Sequence, residues 1–216
     1  MRWLNKGEHP VGEDGLPVTF AAYQDAVTHL KDRIGRYCSY CERRTTSALA
    51  VEHKLPKKHH SQLERVWTNL LLACVNCNSS KGTRQSTAPA PLWPDEDNTF
   101  AAFEYRRSGR IRLRADLDEN EGARGAKLLN LLGLDLEPMH SRSDHRWTDR
   151  LEVWRLADQC RQDLAHNDTP EMRHSIVKVA TAHGCFSIWM AAFEGDIRMQ
   201  QTINLAFPGS HPVVQG

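Results

Sequence analysis

Two Cys-x-x-Cys pairs, Cys38-Ser39-Tyr40-Cys41 and Cys74-Val75-Asn76-Cys77, constrain this sequence more than any other feature. A tight turn lets each pair present two thiolates to one ion, and two such turns supply the closed tetrahedral sulfur set that structural Zn²⁺ prefers. The spacing therefore predicts a four-cysteine zinc site built from Cys38, Cys41, Cys74 and Cys77. Between the pairs lie 32 residues, more than a zinc ribbon carries, so the insert has to be a folded unit. A pair of thiol–disulfide redox sites is the competing reading; it fits poorly with a basic insert and with the lack of a thioredoxin-like pattern. With four thiolates the ion keeps no open position, so this zinc holds structure and performs no cleavage. The two other cysteines, Cys160 and Cys185, stand alone in apolar helical surroundings and read as buried free thiols.

The first ten residues lack the apolar run of a signal peptide, and no stretch of ~18 apolar residues occurs. The expected compartment is the cytoplasm, where paired cysteines bind metal more often than they form disulfides. A length of 216 residues allows one large domain or a small one with an attachment. The net charge of +1 hides a polarity along the chain: residues 31–84 hold 11 Lys/Arg against 4 Asp/Glu, the remainder 17 against 23. A cationic patch confined to one module suggests a polyanion bound there; charge by itself favours a solvated face, and the patch gains weight only from the motifs inside it.

Helical spacing of Phe20, Tyr23, Val27, Leu30 and Ile34 predicts a helix capped by Thr19 and closed by Gly35. A β-prone stretch ends at Val51-Glu52-His53, a short helical segment follows around Leu63, Val66 and Trp67, and Leu70-Leu71-Leu72-Ala73 reads as a buried strand. A helix is expected to begin over Asn78–Gly82. Pro-rich residues 86–99 mark a boundary or long loop, and alternation of Phe103, Tyr105, Ile111 and Leu113 around Ser108-Gly109 predicts a hairpin. One helix is expected to stop at Gly133, a long one to span about 137–165, and another to open at Thr169-Pro170. These signals divide the chain into an irregular arm (1–18), a zinc-knuckle module (19–85), a linker with hairpin (86–118) and a helical C-terminal region (119–216) with a possible docking surface.

Inside the insert sits Glu52-His53-Lys54-Leu55-Pro56, followed by Trp67-Thr68-Asn69-Leu70 and Cys77-Asn78-Ser79-Ser80-Lys81-Gly82. Phosphodiester hydrolysis needs a base to activate water and a hard cation to stabilise charge on phosphate and leaving oxygen. A neutral histidine is a suitable base near neutrality, and carboxylate and amide oxygens suit Mg²⁺. Glu52, His53 and Asn78 make a chemically complete minimal set if the fold brings them together. Lys54, Lys57, Lys58, Lys81 and Arg84 are candidate contacts to a nucleic-acid backbone. His59 and His60 read as part of a solvated basic loop.

The order C-x-x-C, E-H-x-x-P, W-x-N-L, C-x-x-C-N-x-x-K-G resembles the zinc-stabilised HNH endonucleases. That resemblance implies an α+β fold: a ββα-metal core with its zinc site, preceded by a helix and followed by a mostly helical region. It further implies that Glu52 is an acidic ligand and Asn78 a second ligand for catalytic Mg²⁺ or Mn²⁺, that His53 is the general base, and that Asn69 pins the loop and orients the base. Glu at 52 and Asn at 78 depart from the Asp and His of the literal motif and are variants the family accepts. More narrowly, the arm, the knuckle sequences and Leu128–Leu134 make the chain similar to the Septu and retron-associated HNH proteins. This implies anti-phage defence beside an SMC/ABC-like ATPase partner, with DNA as the first substrate and RNA left open. The competing class is a non-catalytic zinc-dependent nucleic-acid-binding or adaptor protein.

Overall fold

The structure, a computed structural model, describes residues 1–212 apart from 46, 48, 85–87, 142 and 143. The boundary expected between residues 85 and 86 and the final four residues lie outside the described ones. A single turn at Tyr23–Asp25 leads into α1 (Ala26–Ile34), which Gly35 closes at φ 76°. The helix thus starts seven residues after the expected cap at Thr19. Asp25 accepts from the backbone N–H of Ala22, which winds a tight turn first, while Phe20 still reaches the core.

Strands β1 (Leu49–His53) and β2 (Leu70–Cys74) pair antiparallel, Leu49 opposite Cys74 and His53 opposite Leu70. Every residue of β2 is buried because α1 and α2 (Val75–Lys81) both pack on the small sheet. This two-sided cover explains why its sequence is continuously apolar rather than alternating. Helix α2 begins at Val75, within the second knuckle, and ends at Gly82 (φ 54°), so Asn78–Lys81 are its last turn and not the expected first. The result is strand, strand, helix with the second cysteine pair at the strand–helix junction.

After α3 (Thr99–Ala102) comes the expected hairpin, β3 (Phe103–Tyr105) and β4 (Ile111–Leu113). Helix α4 (Glu119–Leu132) stops at Gly133 in the left-handed region. Helix α5 (Arg146–His166) begins well after residue 137, where Asp144 accepts from the Arg146 N–H. Helix α6 (Pro170–His183) carries the expected cap, Thr169 Oγ1 accepting from Met172 N–H, and α7 (Phe186–Ala192) and α8 (Ile197–Ala206) complete the chain. One contiguous core joins all of these elements to the N-terminal arm, whose Leu4 is fully buried and bridges to Ser210.

Two contacts dock the helices onto the first knuckle. Glu42 is buried at φ 63° and its carboxylate accepts from Ser187 N–H (2.9 Å), Ser187 Oγ–H (2.6 Å) and the Arg2 N–H. Gly184, at φ 77°, lets the α6–α7 junction come so close that an added Cβ would lie 2.5 Å from both Arg44 N and the Glu42 carbonyl oxygen. Gly184→Ala combines a disfavoured backbone region with a steric clash, at a cost of at least ~2 kcal/mol. For a chain of this length that lowers the thermal midpoint by roughly 5 °C or more, readable by calorimetry.

Candidate zinc centre and active site

The four cysteine Sγ atoms lie within 4.8 Å of one another, all buried, with Cys41 and Cys74 sulfurs 3.6 Å apart. An ion holding sulfur at about 2.3 Å in a tetrahedron requires S···S distances of roughly 3.8 Å. Four buried sulfurs this close, with no disulfide among them, fit a tetrahedral Zn²⁺. Four thiolates outweigh the ion's charge by two, and two guanidiniums meet that excess. Arg43 Nη2 donates to Cys74 Sγ at 3.5 Å and Arg146 Nη1 to Cys77 Sγ at 3.2 Å. Both are oriented in turn: Arg43 by Asp149 and Asn76 Oδ1 (2.8 Å), Arg146 by Asp144 (2.8 Å) and Ser80 Oγ (3.1 Å), with Asn76 Nδ2 donating to Asp144 at 3.2 Å. Sequence reading missed these arginines. Arg43 sits beside the first knuckle with no distinguishing pattern, and Arg146 comes from α5, 69 residues beyond Cys77.

Next to the zinc unit, a cleft of about 510 Å³ is lined by Glu52, His53, Lys57, Lys58, Asn78 and Lys81, among others. The first two come from the end of β1, the last two from the final turn of α2, so the ββα arrangement itself makes the convergence. His53 packs edge-on against Tyr23 at 4.7 Å, and its Nε2 lies 2.8 Å from the Glu64 carbonyl oxygen. A carbonyl only accepts, so Nε2 carries the proton and Nδ1 holds the lone pair. Burial holds the His53 pKa below the ordinary histidine value, with Lys57 and Lys81 adding to that effect against the Glu64 carbonyl. At neutral pH the ring is uncharged and equipped as a base.

Burial pushes the Glu52 carboxyl up, and Lys81 opposes that shift. Lys81 Nζ lies 2.7 Å from Glu52 Oε1 and donates to the His53 carbonyl at 2.6 Å. The Glu52 contact is close but poorly aligned, and Oε1 is buried without a hydrogen bond. The Asn78 amide, in the same cleft, makes no hydrogen bond among the described residues. A buried carboxylate and an amide oxygen on one cleft are oxygen donors that suit a hard divalent cation, which would compete with Lys81 for Glu52.

Asn69 lies outside the cleft. Buried, its Oδ1 accepts from Leu55 N–H at 2.8 Å while Nδ2 donates to the carbonyls of Leu55 (3.0 Å) and Leu63 (3.2 Å). It thereby clamps the loop that follows His53. Asn69→Ala strands those groups and is expected to lower stability by about 2–3 kcal/mol, measurable by urea denaturation.

Two of the expected backbone contacts are placed otherwise. Lys54 is buried, its ammonium bound by Asp95 (2.9 Å) and Glu96, and Lys81 is buried against Glu52. A lysine whose charge is already neutralised in the interior is not offered to a phosphate, so both hold structure here. Asp95 also pairs at 2.6 Å with Lys6, whose pKa burial lowers to about 8 against the pull of Asp95. Lys57 and Lys58 remain exposed at the cleft, Lys57 in a solvent-facing pair with Glu64. Arg84 is exposed, donates to the carbonyls of Ser80 and Leu131, and does not line the cleft. His59 is exposed and His60 half-buried.

A zinc-stapled ββα unit with a neutral histidine closing its first strand defines the class, and the HNH endonuclease family model matches residues 38–84. That segment is a zinc-knuckle HNH endonuclease domain. More particularly, the chain is similar to the Septu protein PtuB of Bacillus thuringiensis, 37% identical over 79 residues that cover 34% of this chain and 31% of that protein. The matched stretch thus spans about a third of the curated relative's length. No helix among the described residues is long and apolar enough to cross a membrane.

Proposed function

We propose that this chain is a metal-dependent endonuclease that hydrolyses phosphodiester bonds, DNA first, as the effector of a Septu-type anti-phage system working beside an ATPase partner. The observation that carries the catalytic part is the convergence of Glu52, His53 and Asn78 on one cleft within an HNH segment. Similarity to a Septu protein supports the defence setting, and the ATPase partner follows from that resemblance.

His53 Nδ1 takes a proton from the attacking water, while its Nε2–H bond to the Glu64 carbonyl fixes the ring plane and tautomer. Glu52 and Asn78 would hold Mg²⁺ or Mn²⁺, which would supply charge stabilisation for the scissile phosphate and leaving oxygen. Asn69 keeps the loop beyond His53 in place, and Lys57 and Lys58 at the rim offer charge to flanking phosphates. Lys81 neutralises Glu52 and braces the His53 backbone from within.

Supercoiled plasmid incubated with the protein and Mg²⁺ or Mn²⁺, alone and with the ATPase co-expressed from its own locus, tests the reading. Nicking that requires the divalent cation is expected. Salt-sensitive binding without cleavage under every one of these conditions would instead establish a zinc-dependent binding module.

A further inference from the structure

The β3–β4 hairpin carries five arginines within nine residues: Arg106, Arg107, Arg110, Arg112 and Arg114. Strand pairing sorts them. Phe103 opposes Leu113 and Tyr105 opposes Ile111, and three of these four apolar residues are buried, with Leu113 half-buried against the core. The alternate positions face outward, which places Arg110, Arg112 and Arg114 along one edge of the ribbon with Arg106 across from Arg110. Glu104, opposite Arg112, is the one carboxylate in that row. Arg106 pairs with Glu104 at 2.7 Å and Arg110 with Glu137 at 3.3 Å, both solvent-exposed contacts that a stronger anion displaces readily. Arg112 and Arg114 have no carboxylate partner among the described residues and are exposed.

Beside this face opens a cavity of about 920 Å³, which shares no lining residue with the Glu52–His53 cleft. Its volume is that of a pocket for a small organic ligand. Its walls balance in charge, with Arg106, Arg107 and Arg114 against Glu104, Asp116 and Glu194. They also carry aromatic surface that the core leaves partly uncovered: Phe100, edge-on to Phe186, and Trp3, stacked on His211 at 3.9 Å.

We propose that the arginine face and this cavity together form a second nucleic-acid contact, selective for a single strand: phosphates lie on the ribbon and an unpaired base enters the cavity. A row of guanidiniums at two-residue spacing suits successive phosphates. A neutral, aromatic-walled pocket suits a base, and only a single strand has bases free of the stack to offer. The inference rests on the nucleic-acid substrate of the proposed function, but not on cleavage.

Fluorescence anisotropy of a fluorescein-labelled oligothymidylate and of its duplex with oligoadenylate, in buffer without added divalent cation, tests it on the full chain. Combined Arg112→Glu and Arg114→Glu, both at exposed positions, is expected to weaken single-strand binding about tenfold and to flatten its salt dependence by about 1.4 in log–log slope, two phosphate contacts' worth. Phe100→Ala is expected to weaken single-strand binding about fivefold with an unchanged slope and unchanged duplex affinity, and Phe100→Tyr to retain it. Unchanged affinity and slope in the charge-reversed protein overturn the proposal and assign the arginine face to an acidic protein surface. Equal losses on duplex and single strand in Phe100→Ala overturn the base-accepting cavity. A protein that binds as expected yet cuts nothing keeps this inference and loses the proposed function.

Discussion

Replacing His53 with alanine is expected to lower plasmid cleavage about 10³-fold while the protein stays folded, because a positioned general base contributes on the order of 10²–10⁴ to the rate. The ring contributes to stability mainly through one contact with Tyr23 and one bond to the Glu64 carbonyl, neither of which ties elements of the zinc unit together. Zinc content and thermal midpoint are therefore the controls that separate lost chemistry from lost fold. The pH profile of the unsubstituted protein adds a second readout. The base works only when neutral, so activity falls as pH drops through the His53 pKa. Burial holds that pKa below the ordinary histidine value of about 6.5, which shifts the acid limb to lower pH than a solvent-exposed histidine gives. Equal cleavage by His53→Ala, or an acid limb above that value, removes His53 from the mechanism.

Why His53 was legible in the sequence and Arg146 was not follows from where each makes its contacts. The knuckles, β1, β2 and the Asn69 clamp all act within residues 38–82, where spacing fixes geometry almost directly. A cysteine pair read in a sequence is already a turn, and an apolar run of four residues beside it is already a strand between two helices. Lys54 and Lys81 show the limit of that reasoning. A basic residue near a catalytic motif looks like a phosphate contact until its partner is known. The partner of Lys54 is Asp95, 41 residues away in a stretch that reads as linker. Lys6 reaches the same carboxylate from an arm with no regular structure. Likewise the start of α5 depends on Asp144, whose carboxylate is shared between the helix N-terminus, Arg146 and Asn76. Such long-range pairs leave no periodic trace, so charge alone predicts neither burial nor role.

Removing one zinc ligand is expected to have the larger structural effect of the two. Structural Zn²⁺ contributes about 10–16 kcal/mol in small zinc domains, as much as the whole stability of an ordinary domain. In Cys77→Ser the bound zinc should fall from one per chain to near zero by atomic emission, and the ββα unit should unfold. Cys74 ends β2 and caps α2, so the joint that sets Glu52 and His53 against Asn78 is the joint the metal holds. Arg146→Met gives the finer test. It removes the guanidinium bonds to Cys77 Sγ and Ser80 Oγ but leaves all four sulfurs in place. Loss of a partner that orients and neutralises a ligand typically costs 10- to 100-fold in metal affinity. Competition against a chromophoric zinc chelator should show a drop in that range, with the ββα unit still folded at saturating zinc. Because Arg146 belongs to α5, such a drop would make the C-terminal helices part of the zinc site's electrostatics rather than an appendage to it. Unaltered zinc affinity would leave the thiolate charge to be balanced by Arg43 alone, and α5 would then bear on the metal only through Asp149, which pairs with Arg43.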